Sequence, residues 1–176
     1  MTKRILLVGM MGAGKTTVGQ ALARRLGYPY LDSDEEVQRQ SGQTVREIFE
    51  TRGEAAFRAL EKQALAQAVT SLGPVVVSVA GGAVLDPDNR RRMRQAGLVV
   101  WLRASLQTLA RRVGAAQGHR PLLGEDPLAA LTRLYQQRRP LYAQVADLVI
   151  DVDLLTPEQV VEQVLERVRS PQAGRR

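Results

Sequence analysis

The 176-residue chain has no cysteine and one histidine, and only 4% of it is aromatic. The missing cysteines exclude a disulfide framework, a thiolate nucleophile, a zinc–cysteine site and an iron–sulfur cluster. A lone His119 cannot build an imidazole-rich metal site, and it argues against Ser–His–Asp hydrolysis. Any metal is therefore expected to be a hard cation held by oxygen atoms. No apolar run approaches the ~20 residues of a membrane span, and the stretch over residues 1–8 is short for a secretory leader. These absences imply a cytoplasmic protein with no membrane partner.

Arginine is plentiful instead. Against 18 acidic residues stand 25 basic ones, nearly all arginine, for a net charge of +7. The planar guanidinium fork matches carboxylate and phosphate bidentately, so the expected partner is anionic, either a phosphorylated small molecule or nucleic acid. Arg90, Arg91, Arg92 and Arg94 form a basic cluster after Pro87. Consecutive helical positions point around a helix rather than along one face, so a solvated helix is expected there and nucleic acid is not expected as a partner.

With 44% hydrophobic residues, a chain of this length buries roughly 70% of its unfolded surface, enough for a single domain over residues 1–176. Apolar runs without polar alternation at residues 5–8, 75–79, 98–102 and 148–150, interrupted only by Ser78, with a shorter one at 30–31, suit strands covered on both faces. Between them, Val18, Leu22, Leu26 and Leu60, Leu65, Val69 keep helical spacing. The alternation predicts a doubly wound parallel α/β sheet. Thr44 with Glu47 reads as a capping box, and Thr156 before Pro157 as a helix start. Residues 114–126 lose all periodicity, which predicts a mobile lid, and residues 170–176 are expected to be a disordered tail.

Immediately after the first apolar run, Gly9-Met10-Met11-Gly12-Ala13-Gly14-Lys15-Thr16 fits G-x-x-x-x-G-K-[ST], and a helical pattern follows at once. Such a loop wraps backbone N–H groups around phosphate oxygens, and the helix behind it directs its positive end there. Lys15 then reaches the outer phosphates and Thr16 ligates magnesium, with Gly12, Ala13, Gly14 and Thr17 completing the ATP-binding set. Downstream, the second run ends in Asp32-Ser33-Asp34. One carboxylate of such a pair can hold magnesium through water while the other accepts a proton from an attacking hydroxyl. Ser33 or Asp34 would also serve as an ordinary helix N-cap.

Taken in order, the loop, the Asp32-x-Asp34 pair, Phe57-Arg58-x-x-Glu61, Gly81-Gly82-Ala83-Val84, Arg120-Pro121-Leu122-Leu123 and Arg138-x-Pro140-Leu141-Tyr142 resemble the shikimate kinases over nearly the whole chain. The loop is common to many nucleotide hydrolases and kinases, whereas the three arginine blocks in series are far more specific. The resemblance implies a three-layer P-loop kinase fold with five parallel strands in the order 2-3-1-4-5 and a lid that closes over both substrates. It implies a magnesium-dependent, monomeric enzyme that transfers the γ-phosphoryl group of ATP to the 3-hydroxyl of shikimate in aromatic amino-acid biosynthesis. By the same resemblance, Asp32 supports the metal with Thr16, and Asp34 holds the attacking hydroxyl as base. Arg58 and Arg138 clamp the substrate carboxylate, Gly81 and Gly82 line that pocket, and Arg120 steadies the transferring phosphoryl group. Arg111 or Arg112, together with Pro157, flanks the adenine.

Chemistry supports these roles independently. A small ring bearing one carboxylate and several hydroxyls needs a bidentate cation for orientation and a carboxylate for the reacting hydroxyl. Pro140 after Arg138 reads as a helix-breaking block, and His119 as a surface-loop residue. The alternative on the same architecture is a kinase for gluconate or a nucleoside monophosphate, although the scarce aromatics argue against a base-stacking pocket. A nucleotide-dependent nucleic-acid-binding protein would leave the Asp32 and Asp34 pair unexplained. The chain departs from the family at Ala80, where three successive glycines are usual. Ala80 is expected to end its strand at negative φ with its methyl in the sheet packing, leaving Gly81 and Gly82 alone to face the substrate.

Overall fold

The computed structural model describes residues 4–70, 72–115 and 126–170. Strands β1 (Arg4–Val8), β2 (Tyr30–Asp32), β3 (Val75–Ser78), β4 (Leu98–Arg103) and β5 (Leu148–Asp151) form one parallel sheet in the order β2-β3-β1-β4-β5. Helices α1 (Lys15–Leu26), α2 (Ser33–Ser41), α3 (Val45–Thr70), α4 (Pro87–Ala96), α5 (Leu106–Ala115), α6 (Pro127–Val145) and α7 (Pro157–Arg169) make the connections. The inner strands read as continuous apolar runs because helices cover both faces of the sheet. Ile5, Leu6, Leu7, Val76, Val77, Val99, Val100 and Leu102 are wholly buried. The edge strand β5 alternates instead, leaving Val149 exposed.

Register places the site. Ser78 pairs with both Leu7 and Asp32, so the loop after β1, the end of β2 and the turn after β3 emerge level at one edge of the sheet. With β3 on one side of β1 and β4 on the other, that edge is the crevice where open α/β sheets bind ligands.

The capping signals largely hold. Thr44 N–H donates to Glu47 Oε2 at 2.7 Å while Glu47 N–H donates to Thr44 Oγ1 at 3.1 Å. Thr156 and Gln159 form a second capping box at the start of α7. The cap of α2 is a correction, being Asp32 rather than Ser33 or Asp34. Its Oδ1 accepts from the N–H groups of Asp34 and Glu35 at 2.9 and 3.2 Å, because Asp32 is the last residue held extended by pairing with β3. Pro140 is a second correction, since α6 runs through it to Val145. Burial of Leu131, Arg138, Tyr142 and Val145 along that helix outweighs the backbone donor that proline removes.

Helix α5 continues through Gly114 and Ala115, and Asp126 caps α6, so these residues leave the stretch read as patternless. The rest of that stretch, including His119 and Arg120, lies outside the described residues, as does the tail from residue 171. The basic cluster is a solvated helix face at Arg91, Arg92 and Arg94, with Arg91 paired to Asp88. Arg90 instead turns inward and donates to the carbonyls of Val84 and Leu85 at 2.7 and 3.2 Å.

A second, smaller core of Val37, Ile48, Phe57 and Ala64 lies apart from the main one. It joins α2 to α3, which breaks at Gly53 with φ 81° and ψ 174°. Only glycine reaches that region without strain.

Candidate active site

Residues 12–17 of the loop line a cavity of about 450 Å³ beneath the sheet edge. Gly14, at φ 95°, turns the loop into the first turn of α1. Lys15 Nζ donates to the carbonyls of Gly9 and Met10 at 2.8 and 3.0 Å, which holds the ammonium within the loop it follows. Asp32 and Asp34 face the same cavity from the start of α2, and Arg112 and Pro157 close its far side. Arg112 Nη1 donates to the carbonyl of Gly12 at 3.0 Å, tying α5 to the loop. Of the two arginines considered for that position, Arg112 is the one placed there.

Thr16 and Asp32 offer oxygen donors in this cavity. Asp32 Oδ1 is engaged in capping, and Oδ2 lies 3.5 Å from the Tyr30 hydroxyl. Tyr30 donates to Ser78 Oγ at 2.9 Å, which donates in turn to the Lys15 carbonyl at 3.0 Å. No cluster of three or more metal-binding His, Cys, Asp or Glu side chains occurs among the described residues. One carboxylate and one hydroxyl suit magnesium, which keeps several waters and takes the rest of its ligands from phosphates.

A second cavity of about 480 Å³ adjoins the first and shares Met11, Asp34, Ala80 and Gly81 with it. Arg58 and Arg138 reach it from α3 and α6. Arg138 is only 1% exposed, and its Nε and Nη2 find no hydrogen-bond partner among the described residues. Each buried donor left without a partner costs about 1–3 kcal/mol, so this guanidinium carries an unfavourable pair of donors that an anion would satisfy. Arg58 Nη1 donates to both carboxylate oxygens of Glu61 at 3.0 Å, and Nη2 lies 3.4 Å from Glu54. Burial pushes the Glu61 carboxyl up to about 7, against the pull of Arg58 and with a further push from the Asp34 charge.

Neither Gly81 nor Gly82 lies in the left-handed region of φ. Their need is room, because a Cβ on Gly82 would stand 2.2 Å from Arg58 Nη1 and one on Gly81 would stand 3.1 Å from Arg138 Nη1. Ala80 has negative φ, as expected, but it lines both cavities, so the two glycines do not face the site alone. The reason is that β3 ends at Ser78, leaving Ala80 beyond the sheet packing. The composition argument against aromatics also fails locally. Both phenylalanines of the chain, Phe49 and Phe57, line this second cavity with ring centroids 4.9 Å apart. Sequence reasoning gave no role to Phe49, considered Ser33 only as a helix cap, and quoted Met11 and Tyr142 only as members of the phosphate loop and of the Arg138 block.

A phosphate-cradling loop after β1, opening onto a second cavity across one shared carboxylate, is the arrangement of a P-loop kinase for small molecules. Comparison with known proteins narrows the class. The family model for shikimate kinase matches residues 11–169. A shikimate kinase of Cereibacter sphaeroides is 46% identical over 176 residues, covering 99% of this chain and 85% of the relative. That of Symbiobacterium thermophilum is 43% identical over 167 residues, covering 94% and 95%. The solved shikimate kinase from Acinetobacter baumannii in complex with shikimate matches with a TM-score of 0.92 at 36% identity, covering 98% of this chain and 96% of that one. A deoxyadenosine kinase from M. mycoides, at 16% identity and a TM-score of 0.62 over 96% of this chain, shares the fold alone. The chain belongs to the shikimate kinase family.

Proposed function

We propose that the chain passes the γ-phosphoryl group of ATP to the 3-hydroxyl of shikimate, giving shikimate 3-phosphate and ADP, where its two cavities meet. The observation that carries this reading is Arg138, a buried guanidinium with two open nitrogens in the second cavity. The shikimate carboxylate supplies the anion, with Arg58 as the second fork. Asp34, common to both cavities, holds the 3-hydroxyl and accepts its proton as the new P–O bond forms and the bond to ADP breaks. Gly81 and Gly82 leave space for the ring beside the two arginines.

In the first cavity, the N–H groups of residues 12–17 cradle the phosphates, Lys15 steadies the outer ones, and Arg112 and Pro157 flank the adenine. Thr16 and Asp32 would hold magnesium, which when bound neutralises charge on the phosphate oxygens. Arg120, outside the described residues, is assigned to the transferring phosphoryl group. No helix among the described residues is long and apolar enough to cross a membrane.

The test is magnesium-ATP turnover against shikimate, gluconate and nucleoside monophosphates, with the product's phosphate located by phosphorus NMR. Shikimate phosphorylated at its 3-oxygen is the expected result. Faster turnover of either competitor overturns the reading.

A further inference from the structure

Residues 80–82 form the floor between the two cavities, with Ala80 and Gly81 lining both and Gly82 the second. This turn lies outside the strand pairing of β3, which ends at Ser78. Two side chains that line neither cavity hold it instead. The Ala80 N–H donates to Ser33 Oγ at 2.8 Å, and Ser33 is wholly buried. The Tyr142 hydroxyl donates to the Gly81 carbonyl at 2.6 Å, and Tyr142 is 1% exposed.

The placement of these anchors matters more than their strength. Ser33 sits between Asp32 and Asp34 at the start of α2. Tyr142 lies one helical turn beyond Arg138 on α6, so the two share a face. The Tyr142 ring is set against Trp101 of β4 at 5.7 Å between centroids, which fixes its hydroxyl.

We propose that Ser33 and Tyr142 are positioning residues, Ser33 setting the turn at residues 80–82 relative to Asp34 and Tyr142 setting it relative to Arg138. The proposal rests on the acceptor reading above. Each bond joins separate elements, so losing either lets the floor move against one catalytic or binding group while leaving the other in place. Displacements of about 1 Å at a reacting centre change rates by up to ~100-fold. Burial pushes the Tyr142 phenol up to about 12, so it remains a donor throughout the working pH range.

Tyr142→Phe keeps the ring on Trp101 and removes the hydroxyl, with both its donation to the Gly81 carbonyl and its hydrogen bond with Arg138. It is expected to raise the shikimate KM roughly tenfold while kcat and the ATP KM stay within about twofold. Ser33→Ala is expected to lower kcat roughly tenfold with less effect on the shikimate KM, because Asp34 is the group that shifts. Ser33→Thr, which retains Oγ, returns kcat toward the wild-type value, and it serves as the test if Ser33→Ala does not fold. All assays run at a temperature where thermal melts show each variant folded. Variants that melt earlier yet keep wild-type KM and kcat assign the two residues to stability alone and overturn the proposal. A wild-type enzyme that leaves shikimate unphosphorylated overturns the acceptor reading itself, whereas an active wild type with kinetically unaltered variants overturns only the positioning roles.

Discussion

Replacing Gly82 with alanine separates substrate clamping from folding. Gly82 has φ −88° and ψ −5°, which any residue adopts, so alanine adds no backbone strain. Its Cβ would stand 2.2, 2.6 and 2.7 Å from Nη1, Nη2 and Cζ of Arg58, against about 3.5–4.0 Å for ordinary contact. The guanidinium ends a flexible side chain, so it withdraws by roughly 1 Å and leaves the backbone in place. On the proposed clamp, the substrate carboxylate then loses one of two arginine forks, worth about 1.5–3 kcal/mol, or roughly 10–150-fold in KM. Arg58 also leaves Glu61, whose two oxygens it holds at 3.0 Å. At pH 6 the Glu61 carboxyl, near 7 in the wild type, is largely protonated with or without its partner, so little stability is lost. At pH 8 the variant must either retain the proton against bulk solvent or bury an unpaired charge, so destabilisation grows between pH 6 and 8. Urea melts at the two pH values measure that difference. Shikimate titrations can follow the fluorescence of Trp101, the single tryptophan, which packs on Tyr142 above the Gly81 carbonyl. An unchanged shikimate KM would remove Arg58 from the clamp, and equal losses at pH 6 and 8 would refute its link to Glu61.

Glu61→Gln tests the same buried carboxyl directly. A folded value raised from 4.5 to about 7 means the native state binds the proton more tightly than the unfolded chain, so the stabilisation is full below about pH 4.5 and is lost as pH rises toward 7. That loss is about 3 kcal/mol, the variant lacks it, and identical stability-versus-pH slopes refute the assignment. Lys15→Ala is expected to reduce kcat by at least ~100-fold while melting near the wild-type temperature, since a charge is lost without core volume; near-normal turnover refutes the loop assignment. Asp34→Asn is expected to lower kcat by ~10²–10⁴ with little change in ATP affinity, and a collapse of ATP binding would exchange its role with that of Asp32. Ala80→Gly is expected to cost about 0.5–1 kcal/mol in thermal stability and leave KM values unchanged, so a fall in the shikimate KM would show that the Ala80 methyl crowds the acceptor.

Strand positions and the phosphate loop were legible because their signals are local, whereas the sheet order came only from the resemblance to the family. A run such as residues 5–8 is apolar throughout only when both faces are covered, and a glycine loop ending in Lys15 and Thr16 has few other uses. What escaped depends on partners distant in sequence. Asp32 caps α2 because pairing with Ser78 keeps it extended, a fact of register that no short motif carries. The bonds from Ser33 to Ala80 and from Tyr142 to Gly81 span 47 and 61 residues. Pro140 misled because propensity describes an isolated helix, whereas α6 is fixed by buried residues on both sides of the proline. Composition counted few aromatics and could not foresee that both phenylalanines would line one wall.

The arginines illustrate the limit most sharply. By composition Arg138 is one arginine among many, singled out in sequence only by its block with Pro140, Leu141 and Tyr142, whereas several others pair with carboxylates at the surface, as in Arg25–Glu162, Arg46–Glu50 and Arg103–Asp151. Such pairs contribute about 0–1 kcal/mol each and bear little on function. Arg138 is buried with open nitrogens, beside a Glu61 carboxyl that its surroundings hold near neutrality. A site of this kind is unfavourable to fold and favourable to fill, because a bound carboxylate satisfies donors that were already desolvated. The main sheet core does not hold the far wall of that cavity. The separate cluster of Val37, Ile48, Phe57 and Ala64 packs α2 against α3 there, and its Phe57 lines the cavity with Arg58. On the acceptor reading, affinity is then tied to the packing of four apolar residues, because Phe57 both belongs to that small core and lines the second cavity.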